Sequence, residues 1–280
     1  MIVRTVKLII PPNSITLTLT EVSVKGFSSE TPCIGSPVRQ RIGRRKMRYG
    51  KVIAGTFIDR PNRFIANVRI QGRGNEPDSD PVVRCHVKNT GRCRELLIPG
   101  AEVFLSVSDN PSRSTAYDLI AVRKGKRLIN MDSQIPNDVA AEYLAHIPMF
   151  SDITSLKREF VYGESRIDIM AEGNGKRYLV EVKGVTLEDN GVVRFPDAPT
   201  ERGVKHIREL IRSMDDGYIP CLLFVIQMDD VLYFEPNRAT DPAFADALRD
   251  AKDAGVNILA YTCAVTPDSM DLKDPVEVRI

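Results

Sequence analysis

RIDIMAEGNGKRYLVEVKG, residues 166–184, decides how this chain is read. Apolar and polar residues alternate on both sides of Asn174-Gly175, the dipeptide best suited to the positive φ angles of a two-residue hairpin turn. With the turn centred there, Asp168 faces Glu181 and Arg166 faces Lys183. Side chains alternate across a strand, so one face carries Arg166, Asp168, Met170, Glu181 and Lys183. The other carries Ile167, Ile169, Ala171, Tyr178, Val180 and Val182. Like charges directly opposite one another destabilise a hairpin, and Asp168 with Glu181 calls for a cation. A divalent metal, with Lys183 two residues along the same face, gives the layout of a metal-dependent phosphodiesterase site. A solvated polar strand face is the competing reading.

The rest of the chain bounds the possibilities. Its 280 residues suffice for two domains with proper cores. The longest wholly apolar run, residues 221–226, is far short of a membrane span. The N-terminal MIVRTVKLIIPP lacks the apolar core of a signal peptide. Five cysteines without CxxC spacing point to reduced thiols in a cytoplasmic protein, and the three histidines share no ligand spacing with them. Charge is uneven: residues 1–150 hold 23 Lys/Arg against 13 Asp/Glu, and residues 151–280 hold 16 against 24. A basic module joined to an acidic one suits phosphate binding in one part and metal binding in the other; ordinary surface charge is the plainer account.

Taken in order, residues 1–48 form an N-terminal extension. It ends in seven cations between Arg39 and Lys51 without an acid, either an arm on nucleic acid or a solvated tail. Residues 49–135 contain five short β-rich runs with a helical turn near residues 94–97, the pattern of a small Greek-key barrel of the OB type. Its aromatic residues Tyr49, Phe57, Phe64, Phe104 and Tyr117 are few for base stacking, and most are assigned to the core. Residues 136–280 follow as helix, three strands, helix and strand, then a peripheral strand, helix and strand: a mixed sheet between helices. Helix 136–147 carries Glu142, a candidate third metal ligand. Thr200 is a candidate N-cap for helix 201–214, whose Arg202 and Lys205 stand where phosphates meet open N–H groups.

NRFIANVRI, HVKNTGRCRELLIPGAEVFL, SDNPSR, SRIDIMAE, VEVKGVTLEDNGVVRFPDAPTERG and GVNILAYTCAV together resemble the sugar fermentation stimulation protein A family. The resemblance runs from about Tyr49 to the C-terminus. It implies an OB-like N-terminal barrel and a C-terminal domain of the PD-(D/E)XK nuclease type. Carried over by position, Asp168 and Glu181 are the acids, Lys183 the lysine, and Glu142 the helix acid. Candidate nucleic-acid contacts are Arg63, Lys88, Asn89 and Arg92 in the barrel, with Arg202 and Lys205 beyond it. Many members have Cys-Pro and Met where this chain has Val87-Lys88 and Cys93, which bears on the local loop shape. The implied cofactor is Mg²⁺ or Mn²⁺, and the implied partner is DNA bound without sequence preference. A non-catalytic DNA-binding regulator linked to sugar metabolism is the alternative. A sugar-phosphate binder is a third reading, but no phosphate-cradling glycine loop supports it.

Residues 1–46 have no counterpart in this pattern and are expected to be dispensable, with Met47 an alternative start that intact mass of the native protein would reveal. Residues 48–135, with 15 Lys/Arg against 9 Asp/Glu, are expected to bind DNA alone. Affinity is expected to collapse between ~50 and ~200 mM salt, because phosphate contacts release counterions. A salt titration of binding that stays flat over that range refutes this electrostatic account.

Overall fold

The computed structural model describes residues 47–71, 80–89 and 91–280, with the backbone of two short strands, β1 (Leu8–Ile10) and β2 (Asn13–Ile15). These two pair antiparallel within a unit of their own, residues 1–40; the second unit is residues 41–280. The basic run up to Lys46, and with it most of the N-terminal extension, lies outside the described residues.

The barrel consists of β3 (Val52–Asn62), β4 (Ile65–Ile70), β5 (Val82–Val87), β6 (Glu102–Val107) and β7 (Tyr117–Lys124). Antiparallel pairing links them in the order β5-β4-β3-β6-β7, and a parallel pairing of β5 with β7 closes the ring. Between β5 and β6 lies the expected helical turn, with the Leu96 and Leu97 N–H groups both on the Cys93 carbonyl. This is the OB topology. A sixth strand that the reading lacked, β8 (Arg127–Asn130), pairs antiparallel with β7 and leads the chain out of the barrel.

The second domain begins with α1 (Ile135–Tyr143). The helix stops short of 147 because Pro148 disfavours α geometry in the residue before it; Ile147 is extended, with ψ of 126°, between two 3₁₀ turns. A six-stranded sheet follows, built from β9 (Ser155–Tyr162), β10 (Ser165–Gly173) and β11 (Lys176–Val185), then β14 (Ile219–Ile226), β16 (Asn257–Thr266) and β17 (Ser269–Pro275). Its order is β17-β16-β14-β11-β10-β9, with β11, β14 and β16 parallel at the centre. A parallel centre needs cover on both faces, and β14 shows it residue by residue. Cys221, Leu223 and Val225 pack in a cluster with Val139 and Leu144. Leu222, Phe224 and Ile226 pack on the side of α2 (Glu201–Ser213) and α3 (Pro242–Ala254).

A small second sheet joins β12 (Leu187–Asp189) and β13 (Val192–Phe195), which the sequence reading lacked, to β15 (Tyr233–Pro236), which overlaps the expected peripheral strand. Its turn is Asn190-Gly191, with φ of 51° and 83°, a repeat of the geometry at Asn174-Gly175 (50° and 73°). The dipeptide that located the first hairpin was equally available for the second.

Barrel and sheet share one apolar cluster, running from Phe57, Val68 and Leu105 through Met131 to Leu179, Phe224 and Phe244. Gln227 sits at the junction. Its side-chain amide donates to the Asn130 and Asp132 carbonyls at 3.1 and 3.0 Å, and its backbone carbonyl accepts from Asn130 N–H at 3.0 Å. The barrel thus has only a small cluster of its own, Phe104, Ile120 and Ala121, and packs most of its buried apolar residues into the cluster it shares with the sheet. Unfolding in urea is expected to show one transition by far-UV circular dichroism and tyrosine fluorescence alike. Gln227→Ala leaves two buried carbonyls without donors and is expected to lower stability by about 1–3 kcal/mol; an unchanged midpoint overturns the role given to Gln227.

Candidate active site

The central strand β11 reads Lys176-Arg-Tyr-Leu-Val-Glu-Val-Lys-Gly-Val185, and Glu181 is the charge in it that packing seals off. Its side chain is 2% exposed, against 15% for Lys183. A buried carboxylate costs several kcal/mol unless donors surround it. Two donors converge on Oε1: Lys183 Nζ at 2.5 Å, and His206 Nδ1 from α2. Arg202 Nε lies 3.3 Å from His206 Nε2 and can only donate. The imidazole proton therefore sits on Nδ1, aimed at Glu181. Oε2 is buried and has no hydrogen-bond partner among the described residues.

Asp168 stands beside it. The β10–β11 ladder runs in the expected register from Gly173↔Lys176 to Ile169↔Val180. Beyond that the strands open: the Val182 N–H, which this register assigns to Ile167, goes instead to Asp168 Oδ2 at 2.8 Å. Asn137 of α1 donates to Oδ1 at 2.8 Å. Burial first, and then the Glu181 charge, push the Asp168 carboxyl up to about 6. Burial acts against ionised Glu181 too, but Lys183 and His206 hold it below the ordinary carboxylate range. The two acids thus repel one another, and one buried oxygen still lacks a positive partner. A hard divalent cation fits that donor set, with Glu181 Oε2 and Asp168 to hold it. Among the described residues no cluster of three or more His, Cys, Asp or Glu side chains reinforces them.

Glu142 does not join the pair. Its carboxylate accepts the Met47 N–H at 2.9 Å and lies among Asp138, Asp271 and Arg158. In the register of α1 it is Asn137, more than a turn earlier, that points to Asp168.

Lys183 opens onto a cleft of about 580 Å³ between barrel and sheet, whose walls include Arg63, Asn89, Arg194 and Arg202. Of the six candidate nucleic-acid residues, this cleft gathers Arg63, Asn89 and Arg202. Arg92 lines an adjoining basin with Arg60, Arg63 and Arg94. Lys88 is drawn away, since its ammonium neutralises the fully buried Asp132 at 2.6 Å. Lys205 faces a separate groove with Arg208 and Arg212, and pairs with Glu164. Asn89 shapes the loop it belongs to: its amide donates to the Met131 carbonyl, and its side-chain oxygen accepts the Gly91 N–H.

Sequence reasoning passed over His206, Asn137, Asp197 and Arg60. His206 had one legible signal, its i, i+4 spacing from Arg202 on a helix, but it was set aside for lacking ligand spacing. Asp197 accepts the Arg92 N–H at 2.8 Å, and Arg60 donates to the carbonyls of Arg63, Asn89, Gly91 and Arg92. Neither role has a local sequence mark.

Comparison with known proteins agrees with this architecture. Residues 58–131 match the SfsA N-terminal OB domain, and residues 134–269 match the Sugar fermentation stimulation protein RE domain. The sugar fermentation stimulation protein homolog of Clostridium beijerinckii is 52% identical over 232 residues, covering 83% of this chain and 99% of that protein. The homolog from Ruminiclostridium cellulolyticum is 52% identical over 234 residues, covering 84% and 100%. The structure of Pyrococcus furiosus SfsA in complex with Ca²⁺ superposes with a TM-score of 0.74 at 27% identity, covering 84% of this chain and 98% of that one. With both domains matched in order on an OB barrel and a mixed sheet packed between helices, the chain belongs to the sugar fermentation stimulation protein family.

Proposed function

We propose that this protein binds DNA without sequence preference and hydrolyses phosphodiester bonds with a divalent cation, Mg²⁺ or Mn²⁺. The observation that carries the proposal is the buried Glu181 Oε2 beside Asp168, without a hydrogen-bond partner among the described residues, and Lys183, bonded to the other Glu181 oxygen, lining the cleft. The calcium in the complex of the Pyrococcus furiosus relative supports a hard cation with oxygen ligands. Bound there, the cation supplies Lewis-acid polarisation of a phosphoryl oxygen and a more acidic water.

The chain's own groups do the rest. Lys183 orients the attacking water and neutralises charge that develops on phosphorus, a contact whose loss slows such reactions roughly 10²–10³-fold. His206 holds Glu181 in one rotamer, and Arg202 fixes the tautomer that lets it do so. Arg63 and Arg202 flank Lys183 along the cleft and hold neighbouring phosphates. The four described cysteines, all buried and unpaired, suit a reducing compartment, and we place the protein in the cytoplasm. Among the described residues no helix is long and apolar enough to cross a membrane.

Glu181→Gln and Lys183→Ala are expected to abolish Mg²⁺-dependent cleavage of single-stranded, duplex and flap DNA while leaving DNA affinity nearly intact. Wild-type rates in Glu181→Gln refute the nuclease reading. A wild type that binds but never cleaves in Mg²⁺ or Mn²⁺ leaves the DNA-binding regulator in its place.

The acid pair also sets a pH dependence. Asp168 must ionise to meet a cation, so metal-induced stabilisation is expected to grow as pH rises through about 6. At pH 8, a hundredfold excess over Kd contributes about 2.7 kcal/mol, and about half of this is lost at pH 5. Without cation the sign reverses. The folded state holds the Asp168 proton more tightly than the unfolded one, so stability declines as pH rises from about 4 through about 6. Differential scanning fluorimetry with and without Mn²⁺ across this range checks both slopes. A metal-induced shift equally large at pH 5 and pH 8 contradicts the role of Asp168.

A further inference from the structure

Of the barrel's five aromatic residues, four are occupied. Phe57 and Phe104 are buried, Tyr117 packs against the core, and the Tyr49 hydroxyl is hydrogen-bonded with Asp132 and Asn130. Phe64 differs: it is 48% exposed, at the tip of the β3–β4 hairpin. That tip is built rigidly. Asn62 Oδ1 accepts the N–H groups of Phe64 and Ile65 at 2.9 and 3.1 Å, and the Phe64 carbonyl accepts the Val87 N–H at 2.8 Å. The ring is therefore held out on a fixed backbone.

Its surroundings are cationic. Arg63 lies against the Phe64 ring, its guanidinium 5.3 Å from the centroid, and lines both the cleft at Lys183 and the neighbouring basin. The basin, about 510 Å³, is walled by Arg60, Arg63, Arg92 and Arg94 with Asn62 and Leu97; none of the described residues lining it is acidic, and Asp197 accepts the Arg92 N–H beside it. Among the described residues, Arg63, Arg92 and Arg94 make no ion pair. Arg60 binds four backbone carbonyls and so fixes the loop that presents Arg92. A lone exposed phenylalanine is ordinary on any protein. One fixed against Arg63, which lines both cleft and basin, matches the pairing of stacking ring and backbone cations that holds single strands.

We propose that Phe64 stacks on an unpaired base of single-stranded DNA, while Arg63, Arg92 and Arg94 hold the adjacent phosphates and lead the strand toward Lys183. Inside a duplex both faces of a base are already covered by its neighbours, so the ring engages a single strand or an unpaired end. This rests on the DNA-binding reading and adds the substrate class. The preferred DNA carries unpaired nucleotides at the barrel side of the cleft.

The test is binding in the absence of metal, so that cleavage plays no part. Fluorescence anisotropy is measured for a labelled oligodeoxythymidylate and for a blunt duplex. Phe64→Ala is expected to weaken single-strand binding roughly 5- to 150-fold, to change duplex binding by less than twofold, and to leave the salt dependence of both unaltered. Arg63→Ala is expected to weaken both and to lower the salt slope by about one. Because the chain contains no tryptophan, Phe64→Trp adds a single reporter. Its emission is expected to be quenched by the single strand and not by the duplex. Undiminished single-strand affinity in Phe64→Ala, equal losses on both DNAs, or no quenching in Phe64→Trp overturns the proposal. A wild type that binds neither DNA sinks the DNA-binding reading and this inference together. Quenching without any cleavage sinks only the nuclease reading.

Discussion

A carboxylate sealed inside the central strand of a sheet is the constraint to which much of this structure answers. Glu181 has apolar neighbours along β11 and on the parallel strand beside it, where Leu222 is its register partner. Water is not available to solvate the charge, so protein donors must. Lys183 comes from the same strand, and His206 comes from α2, whose start is fixed by Thr200 accepting the Gly203 N–H. All of that serves one oxygen. The second oxygen and the nearby Asp168 carboxylate remain in conflict, the kind of local violation that natural proteins retain at functional sites.

The cleft onto which Lys183 opens is made by joining two domains, and backbone acceptors and donors fix its geometry. Arg60 gathers four carbonyls, Asp197 takes an N–H from the opposite wall, and Gln227 binds the exit of the barrel to the end of β14. These contacts are short-range and directional, so the walls keep their spacing without a large apolar interface at the cleft itself.

The excess positive charge of the barrel overstates what faces a ligand. Lys88 is balanced by Asp132, Lys124 and Arg127 by the buried Glu188, Arg113 by Asp118, and Arg123 by Glu102. Among the described residues Lys51, Arg60, Arg63, Arg69, Arg84, Arg92, Arg94 and Lys126 of the barrel make no ion pair, and four of them, Arg60, Arg63, Arg92 and Arg94, gather at the basin beside the cleft. A net charge gives the sign of a field, whereas the position of unpaired cations decides where a phosphate can rest.

The sequence alone determined those features that depend on near neighbours. Asn174-Gly175 set the turn, the turn set the register, and period-two alternation put Ile169, Ala171, Val180 and Val182 in the core. The same local chemistry located the five barrel strands, the Thr200 cap and α3. Tertiary structure alone decided the contacts made across long stretches of chain. His206 reaches Glu181 from 25 positions away, Asn137 reaches Asp168 across 31, and Asp197 reaches Arg92 across 105. Glu142 and Lys88 carried the right charge in a suitable place along the chain, yet folding turned each toward a different partner, Met47 and Asp132. Strand periodicity and turn propensity are properties of a few consecutive residues, and so can be read along the chain. Which donor reaches a buried acid depends on how separate elements pack, and no short window of sequence contains that.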